Sequence, residues 1–201
     1  EAGYDYVGFH FCHGSLPHTN LSLLSNVGRT DRYADRLLFV EEILRRTQEL
    51  CGKDYLLMPR ICCDENLKGG FDIDYFVENY APRLEALNFG ILDCTFGSML
   101  RAESRRTDVN SNEFIGGGFY TPNAVNLDNI KKIRGLLRER SFKMPIVGSC
   151  NLGTPAQVRQ MVEEGGADFA GVCRFSMDDP DFPRKMREGR EDEIRKSTRT
   201  G

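Results

Sequence analysis

Hydrophobic and polar positions fall into two textures along this chain, short continuous apolar runs and longer amphipathic stretches. The first apolar run, Tyr4 to Phe11, is rich in aromatic residues and short enough for a buried strand. Gly14 and Pro17 break it, so the next residues read as loop. Similar runs predict strands over Tyr55–Cys62, Gly90–Thr95, Met144–Gly148 and Ala167–Cys173. Between them the spacing turns helical. Thr30 or Asp31 can cap a helix over Arg32–Leu50, in which Leu37, Leu38, Val40, Ile43, Leu44 and Leu50 fall largely on one face and Gly52 suits the end. Asp72 or Asp74 starts a second helix running to about Leu87, with Pro82 as a kink or interruption. Leu127–Arg140 is a third, with Leu127, Ile130, Ile133, Leu136 and Leu137 apolar. Thr154-Pro155 opens a fourth, Thr as cap and Pro in the first turn, and Gly165-Gly166 ends it. After the turn Asp178–Pro183 a charged helix runs to about Lys196.

The order is strand then helix, five times over. That alternation demands a parallel sheet covered by helices. An open doubly wound sheet and a (β/α)8 barrel both satisfy it. No GxGxxG follows the first strand, which weighs against a dinucleotide-binding sheet. A whole barrel needs eight units where about five are present. The segment 96–126 has no clear period and holds Gly116-Gly-Gly118, Pro122 and several Asn; a loop that long inside a compact domain is usually functional or mobile. The tail Ser197–Gly201 reads as loose, and residues 1–201 read as one domain.

Composition narrows the classes. The chain has 201 residues, 40% hydrophobic, enough for one substantial core. Its net charge is −3, with Lys and Arg dispersed among Asp and Glu, so no basic stripe points to nucleic acid. No apolar run approaches the roughly 20 residues that span a bilayer, and no signal segment opens the chain. The seven cysteines form no framework and no CxxC, so reduced thiols in a cytoplasmic protein are the simplest reading. The chain starts with Glu1, close before its first strand, and so reads as cut from something longer.

Candidate chemistry concentrates near the start. All three histidines, His10, His13 and His18, lie within nine positions. His10 sits at the end of the first predicted strand and His13 in the loop beyond, so the strand fixes position and the loop gives access. Spacing alone leaves two readings of that pair: ligand contacts, or structural histidines satisfying loop carbonyls. Cys12, Cys62, Cys63, Cys94, Cys150 and Cys173 all fall near carboxyl ends of predicted strands, and with His10 and His13 they could ligate zinc or iron. Their scattered spacing carries no metal signature, and cysteine is a common small core residue. No metal site is assigned from the sequence.

Longer stretches resemble one family. Gly3-Tyr4-Asp5 (preceded by Ala2), His10-x-x-His13-Gly14, Leu21-Ser22-x-Leu24-Ser25-Asn26, Arg29-Thr30-Asp31-x-Tyr33 and Pro59-Arg60-Ile61 carry the likeness in the first half. Gly69-Gly70-Phe71, Asn151-x-x-Thr154-Pro155, Arg174, Asp179-Pro180-Asp181-x-Pro183 and Arg187-x-Gly189-Arg190 carry it in the second. Together these resemble the flavin-binding barrel of the Old Yellow Enzyme or NADH:flavin oxidoreductase family, nearest to the barrel domain of 2,4-dienoyl-CoA reductases, 2-enoate reductases and trimethylamine dehydrogenase.

The resemblance implies strands four to eight of a (β/α)8 TIM barrel, bound FMN, and NAD(P)H as reductant. It implies a small-molecule substrate (an enone, enoate, enoyl-CoA or amine), and a homo-oligomer or an absent amino-terminal half-barrel. His10 and His13 would donate to the substrate carbonyl oxygen, where charge grows during reduction. Arg60 would favour negative charge near the flavin pyrimidine ring; an internal salt bridge is the plain alternative. Cys150, Asn151, Cys173 and Arg174 match the phosphate positions. The chain departs from the family in three places. Cys150 and Cys173 stand where glycine is common, and a side chain there could crowd the backbone away from phosphate. Ser15 stands where the family has its tyrosine proton donor, and serine is too short and too weak an acid to replace it; Tyr120 in the long loop is one other source. Two further readings fit these departures: a barrel remnant or interaction module without flavin, and a metal-dependent barrel enzyme.

Overall fold

The computed structural model describes residues 3–105 and 126–195. The Gly116–Gly118 run, Tyr120, Pro122, Ala2 and the tail Ser197–Gly201 lie outside the described residues. Five strands, β1 (Tyr6–Phe11), β2 (Leu56–Asp64), β3 (Leu92–Phe96), β4 (Ile146–Ser149) and β5 (Phe169–Gly171), form one sheet in the order β1-β2-β3-β4-β5. Every pairing is parallel. Sequential parallel neighbours joined by helical crossovers are what the strand–helix alternation predicts.

The helices are α1 (Leu16–Leu21), α2 (Leu38–Cys51), α3 (Ile73–Asn79), α4 (Ala81–Ala86), α5 (Leu127–Glu139), α6 (Pro155–Glu163), α7 (Arg174–Asp178) and α8 (Phe182–Arg187). Helices α2 to α6 cover one face of the sheet. There Leu57, Ile61, Cys63, Leu92, Cys94, Phe96 and Ile146 from the strands meet Val40 and Leu44 of α2, Phe76 and Val77 of α3, Leu84 of α4 and Ile130, Ile133 and Leu137 of α5. All seven cysteines are free thiols.

Several expectations shift at their ends. The predicted helix over Arg32–Leu50 splits into a short 3-10 turn at Arg32–Ala34 and α2, because Asp31 caps the turn through Tyr33 N and the chain turns extended at Asp35. The helix predicted through Leu87 breaks at Tyr80, and Pro82 sits in the first turn of α4, where its missing N–H costs nothing. The charged helix predicted to about Lys196 is α8 followed by a 3-10 turn at Glu191–Glu193. The Asp178–Pro183 segment is held by Asp179, which is buried and accepts from Lys185 Nζ at 2.7 Å and from Arg195 N at 2.9 Å. Two short helices go beyond the sequence reading, α1 where it has a loop and α7 between the fifth predicted strand and the turn at Asp178; both are too brief to show a period.

The other face of the sheet is concave and open. Strand alternation places Tyr6, Leu56, Met58, Arg60, Ile91, Asp93, Val147, Ser149, Phe169 and Gly171 along it, lining a cleft of about 840 Å³. The edges β1 and β5 do not pair with each other.

Candidate active site at the carboxyl ends of the strands

Register sets the first cluster. His10 of β1 pairs with Arg60 of β2, and Arg60 with Asp93 of β3, so three ionisable side chains share one level of the open face. Arg60 donates to Asp93 Oδ2 at 2.8 Å and to Thr95 Oγ1 at 3.3 Å. The same Thr95 hydroxyl meets His13 Nε2 at 3.0 Å. Thr95 is fully buried and thus ties the strand arginine to the loop histidine. The salt bridge to Asp93 coexists with an open side of Arg60, whose side chain stays 29% exposed toward the cleft.

His10 and His13 come together as neighbours, with ring centroids 5.5 Å apart and planes at 66°. His10 is exposed and His13 buried, the latter at φ 58° in the left-handed region that lets the loop fold back. Cys12 lies between them, its Sγ 3.7 Å from either ring nitrogen of His10 and 3.5 Å from His13 Nδ1. Burial depresses both histidines, and the Arg60 charge adds to it: His10 falls below its ordinary value and His13 drops to about 3. Both are neutral at physiological pH. Burial pushes the Cys12 thiol up to about 12, against the pull of Arg60. Burial also raises the Asp93 carboxyl, with Arg60 opposing.

His18 belongs elsewhere. Gly14 N donates to its Nδ1 at 2.6 Å, so the ring proton sits on Nε2, 3.3 Å from Glu65 Oε1. Both side chains are fully buried. His18 therefore fastens the loop after β1 to the loop after β2. Ser15 is turned to the backbone, its hydroxyl donating to the His10 carbonyl at 3.2 Å.

The second cluster sits where β4 and β5 end. Arg174, first residue of α7, donates to Asn151 Oδ1 at 3.0 Å. Cys150 and Asn151 both have positive φ, 107° and 50°. Cys150 thus adopts a backbone conformation suited to glycine, although it carries a side chain. Cys173 differs: its φ is −120°, which any residue adopts, and it is exposed. Arg60, Cys150, Asn151, Cys173 and Arg174 all line the same cleft, whereas His10 and His13 stand beside it at the β1 edge. Inside that cleft Asp93 Oδ1 and Ser149 Oγ are buried oxygens without a hydrogen-bond partner among the described residues. Sequence reasoning passed over Thr95, Asp93 and Ser149. For Asp93 a signal existed, a carboxylate inside the apolar run Ile91–Thr95, where burial demands a partner.

Comparison with known proteins fits this geometry. The family described as NADH:flavin oxidoreductase / NADH oxidase matches residues 1–193. An NADH oxidase of Thermoanaerobacter brockii is 30% identical over 199 residues, covering 97% of this chain and 28% of that protein. An NADPH dehydrogenase of Bacillus velezensis is 29% identical over 188 residues, covering 92% of this chain and 48% of that protein. Among solved structures, a 2-naphthoyl-CoA reductase superposes with TM-score 0.79 at 24% identity, covering 98% of this chain and 28% of that one. An old yellow enzyme homologue of Zymomonas mobilis superposes with TM-score 0.63 at 22% identity, covering 97% and 49%. These likenesses fix the fold as part of a TIM barrel. The chain spans between about a quarter and half the length of these relatives.

Proposed function

Because the chain belongs to the NADH:flavin oxidoreductase / NADH oxidase family, we propose that it forms the last five units of the flavin-binding barrel of an FMN-dependent oxidoreductase that uses NAD(P)H to reduce an activated C=C bond. The observation that carries the proposal is the cleft with Arg60 at one end and the Asn151–Arg174 pair at the other.

The residues suit a flavin. At about 840 Å³ the cleft has the size of a cofactor site. Its unpartnered oxygens, Asp93 Oδ1 and Ser149 Oγ, can accept from a ligand N–H. Bound FMN would supply the hydride chemistry. Arg60, held by Asp93 and Thr95, would place a fixed positive charge against the pyrimidine edge. Arg174, with Asn151 and the backbone at Cys150 and Cys173, would hold the phosphate. His10, exposed and neutral, would donate an N–H to the substrate oxygen. His13 would join it on releasing Thr95 or turning from Cys12. The Ser15 hydroxyl, spent on the His10 carbonyl, would not supply the proton to carbon, so that proton comes from another group or from solvent.

Two measurements on the full-length flavoprotein test this. His10→Ala should leave FMN bound and remove the charge-transfer absorption that phenols produce over the flavin. Arg174→Ala should weaken FMN but spare riboflavin, by roughly 1.5–3 kcal/mol for a charge-assisted phosphate contact. Unchanged phenol binding, or equal weakening of both flavins, would remove these residues from their roles.

A further inference from the structure

We propose that His10, Cys12 and His13 form a binding site for a thiophilic divalent cation of the zinc type, one that occupies the two histidines. Cys12 stands two residues after His10 and immediately before His13, and the turn after β1 folds its sulfur between the rings. The ligating atoms of the three residues lie within 4.8 Å of one another.

The Cys12–His13 separation agrees with tetrahedral coordination. Zn–S near 2.3 Å and Zn–N near 2.0–2.1 Å at the tetrahedral angle put sulfur and nitrogen about 3.5–3.6 Å apart. Cys12 Sγ is 3.5 Å from His13 Nδ1; it is 3.7 Å from both ring nitrogens of His10, so that ring must turn to aim one lone pair at a shared metal. His10 is exposed, so its ring can turn to bring its nitrogen nearer that of His13. His13 can take the outer support a metal-bound imidazole uses: in the tautomer that carries the proton on Nε2, 3.0 Å from Thr95 Oγ1, Nδ1 keeps its lone pair on the Cys12 side. Arg60 brings positive charge to this corner, and its ion pair with Asp93 offsets it. Binding replaces the thiol proton, which leaves to solvent, by a sulfur–metal bond. The thiolate selects zinc or cobalt over magnesium and calcium, which prefer oxygen. Three protein ligands leave the fourth position open for water.

The consequence for turnover rests on the proposed role of the histidines: a bound cation would take the donor away from the substrate oxygen and inhibit reversibly. The binding itself does not rest on it. The test is cobalt titration of the full-length protein, read as thiolate-to-cobalt absorption. One equivalent should saturate it, Zn²⁺ should displace it and Mg²⁺ should not. Cys12→Ala should abolish the absorption. His10→Ala, at an exposed position that leaves the fold intact, should weaken cobalt binding roughly tenfold or more. Cys51→Ala and Cys173→Ala, which remove the exposed thiols, should keep it. Absorption that survives Cys12→Ala, disappears with Cys51→Ala or Cys173→Ala, or is indifferent to His10→Ala would overturn the site. FMN absorbance, followed separately in the full-length protein, reports on the flavin proposal whichever way the cobalt result falls.

Discussion

At Cys150 a side chain occupies a backbone conformation that favours glycine, with φ 107°. Such residues cost on the order of 1–3 kcal/mol and persist where the surroundings impose them. Cys150→Gly should therefore stabilise the protein by up to about 1 kcal/mol, once the greater freedom of unfolded glycine and the lost packing are set against the relief. Cys150→Val, β-branched at positive φ, should destabilise it; urea unfolding of both variants measures the pair. His13 makes a different demand. Its folded pKa lies near 3, below the ordinary 6.5, so between those values the unfolded chain binds the extra proton. The stability that neutral His13 contributes is present above pH 6.5 and is lost as pH falls toward 3, by up to about 1.4 kcal/mol per pH unit. His10 is lowered too and acts in the same direction. Urea midpoints measured from pH 7 to pH 4 should fall, and His13→Asn should flatten the slope; an equal slope in that variant would place the titration elsewhere.

Among the elements, α6 shows how much of its start is written locally. Thr154 Oγ1 accepts from Gln157 N at 3.2 Å, and Gln157 Oε1 accepts from Thr154 N at 3.1 Å and Gly153 N at 2.8 Å. The Thr154 cap and Pro155 in the first turn were readable from the sequence, and the structure adds Gln157 to complete a capping box. Thr154→Ala should cost about 1 kcal/mol, measured as a shift in the unfolding midpoint. The far end is written locally too: Gly166 has φ 70° and a Cβ on Gly165 would stand 2.4 Å from the Met161 carbonyl oxygen, so the Gly165-Gly166 pair ends the helix as its sequence predicts. The strand at β5 came out shorter than its apolar run, because only Phe169–Gly171 finds partners on β4. Pairing ends there, and Cys173 becomes the residue before α7.

For the whole molecule the open face is the governing fact. Tyr6 and Phe169, both on the cleft side, are each 49% exposed at opposite edges of the sheet. Unpaired edges and exposed aromatic surface favour association with further strands or with another copy. The 201-residue chain alone should therefore self-associate with rising concentration in sedimentation velocity and bind FMN weakly. A monomer at every concentration that binds FMN stoichiometrically would show that the open face needs no cover.

The parallel α/β architecture and its five units were legible in the sequence because they rest on periodicities that the backbone imposes; the strand faces were not, because the runs are apolar throughout. The nearness of His10 and His13 was also legible, since only two residues, Phe11 and Cys12, separate them. Arg60 was legible as a strand arginine, but not its hold on His13 through Thr95, which joins residues 82 positions apart. The sequence reads His18 as structural, bonding across its loop; only tertiary structure gave it Glu65 as partner. Cys12 as a sulfur set between two imidazoles depended likewise on how the loop closes. Local spacing determines which face a side chain takes, while long-range register decides which charges and donors share that face, and register is set by the packing of the whole sheet.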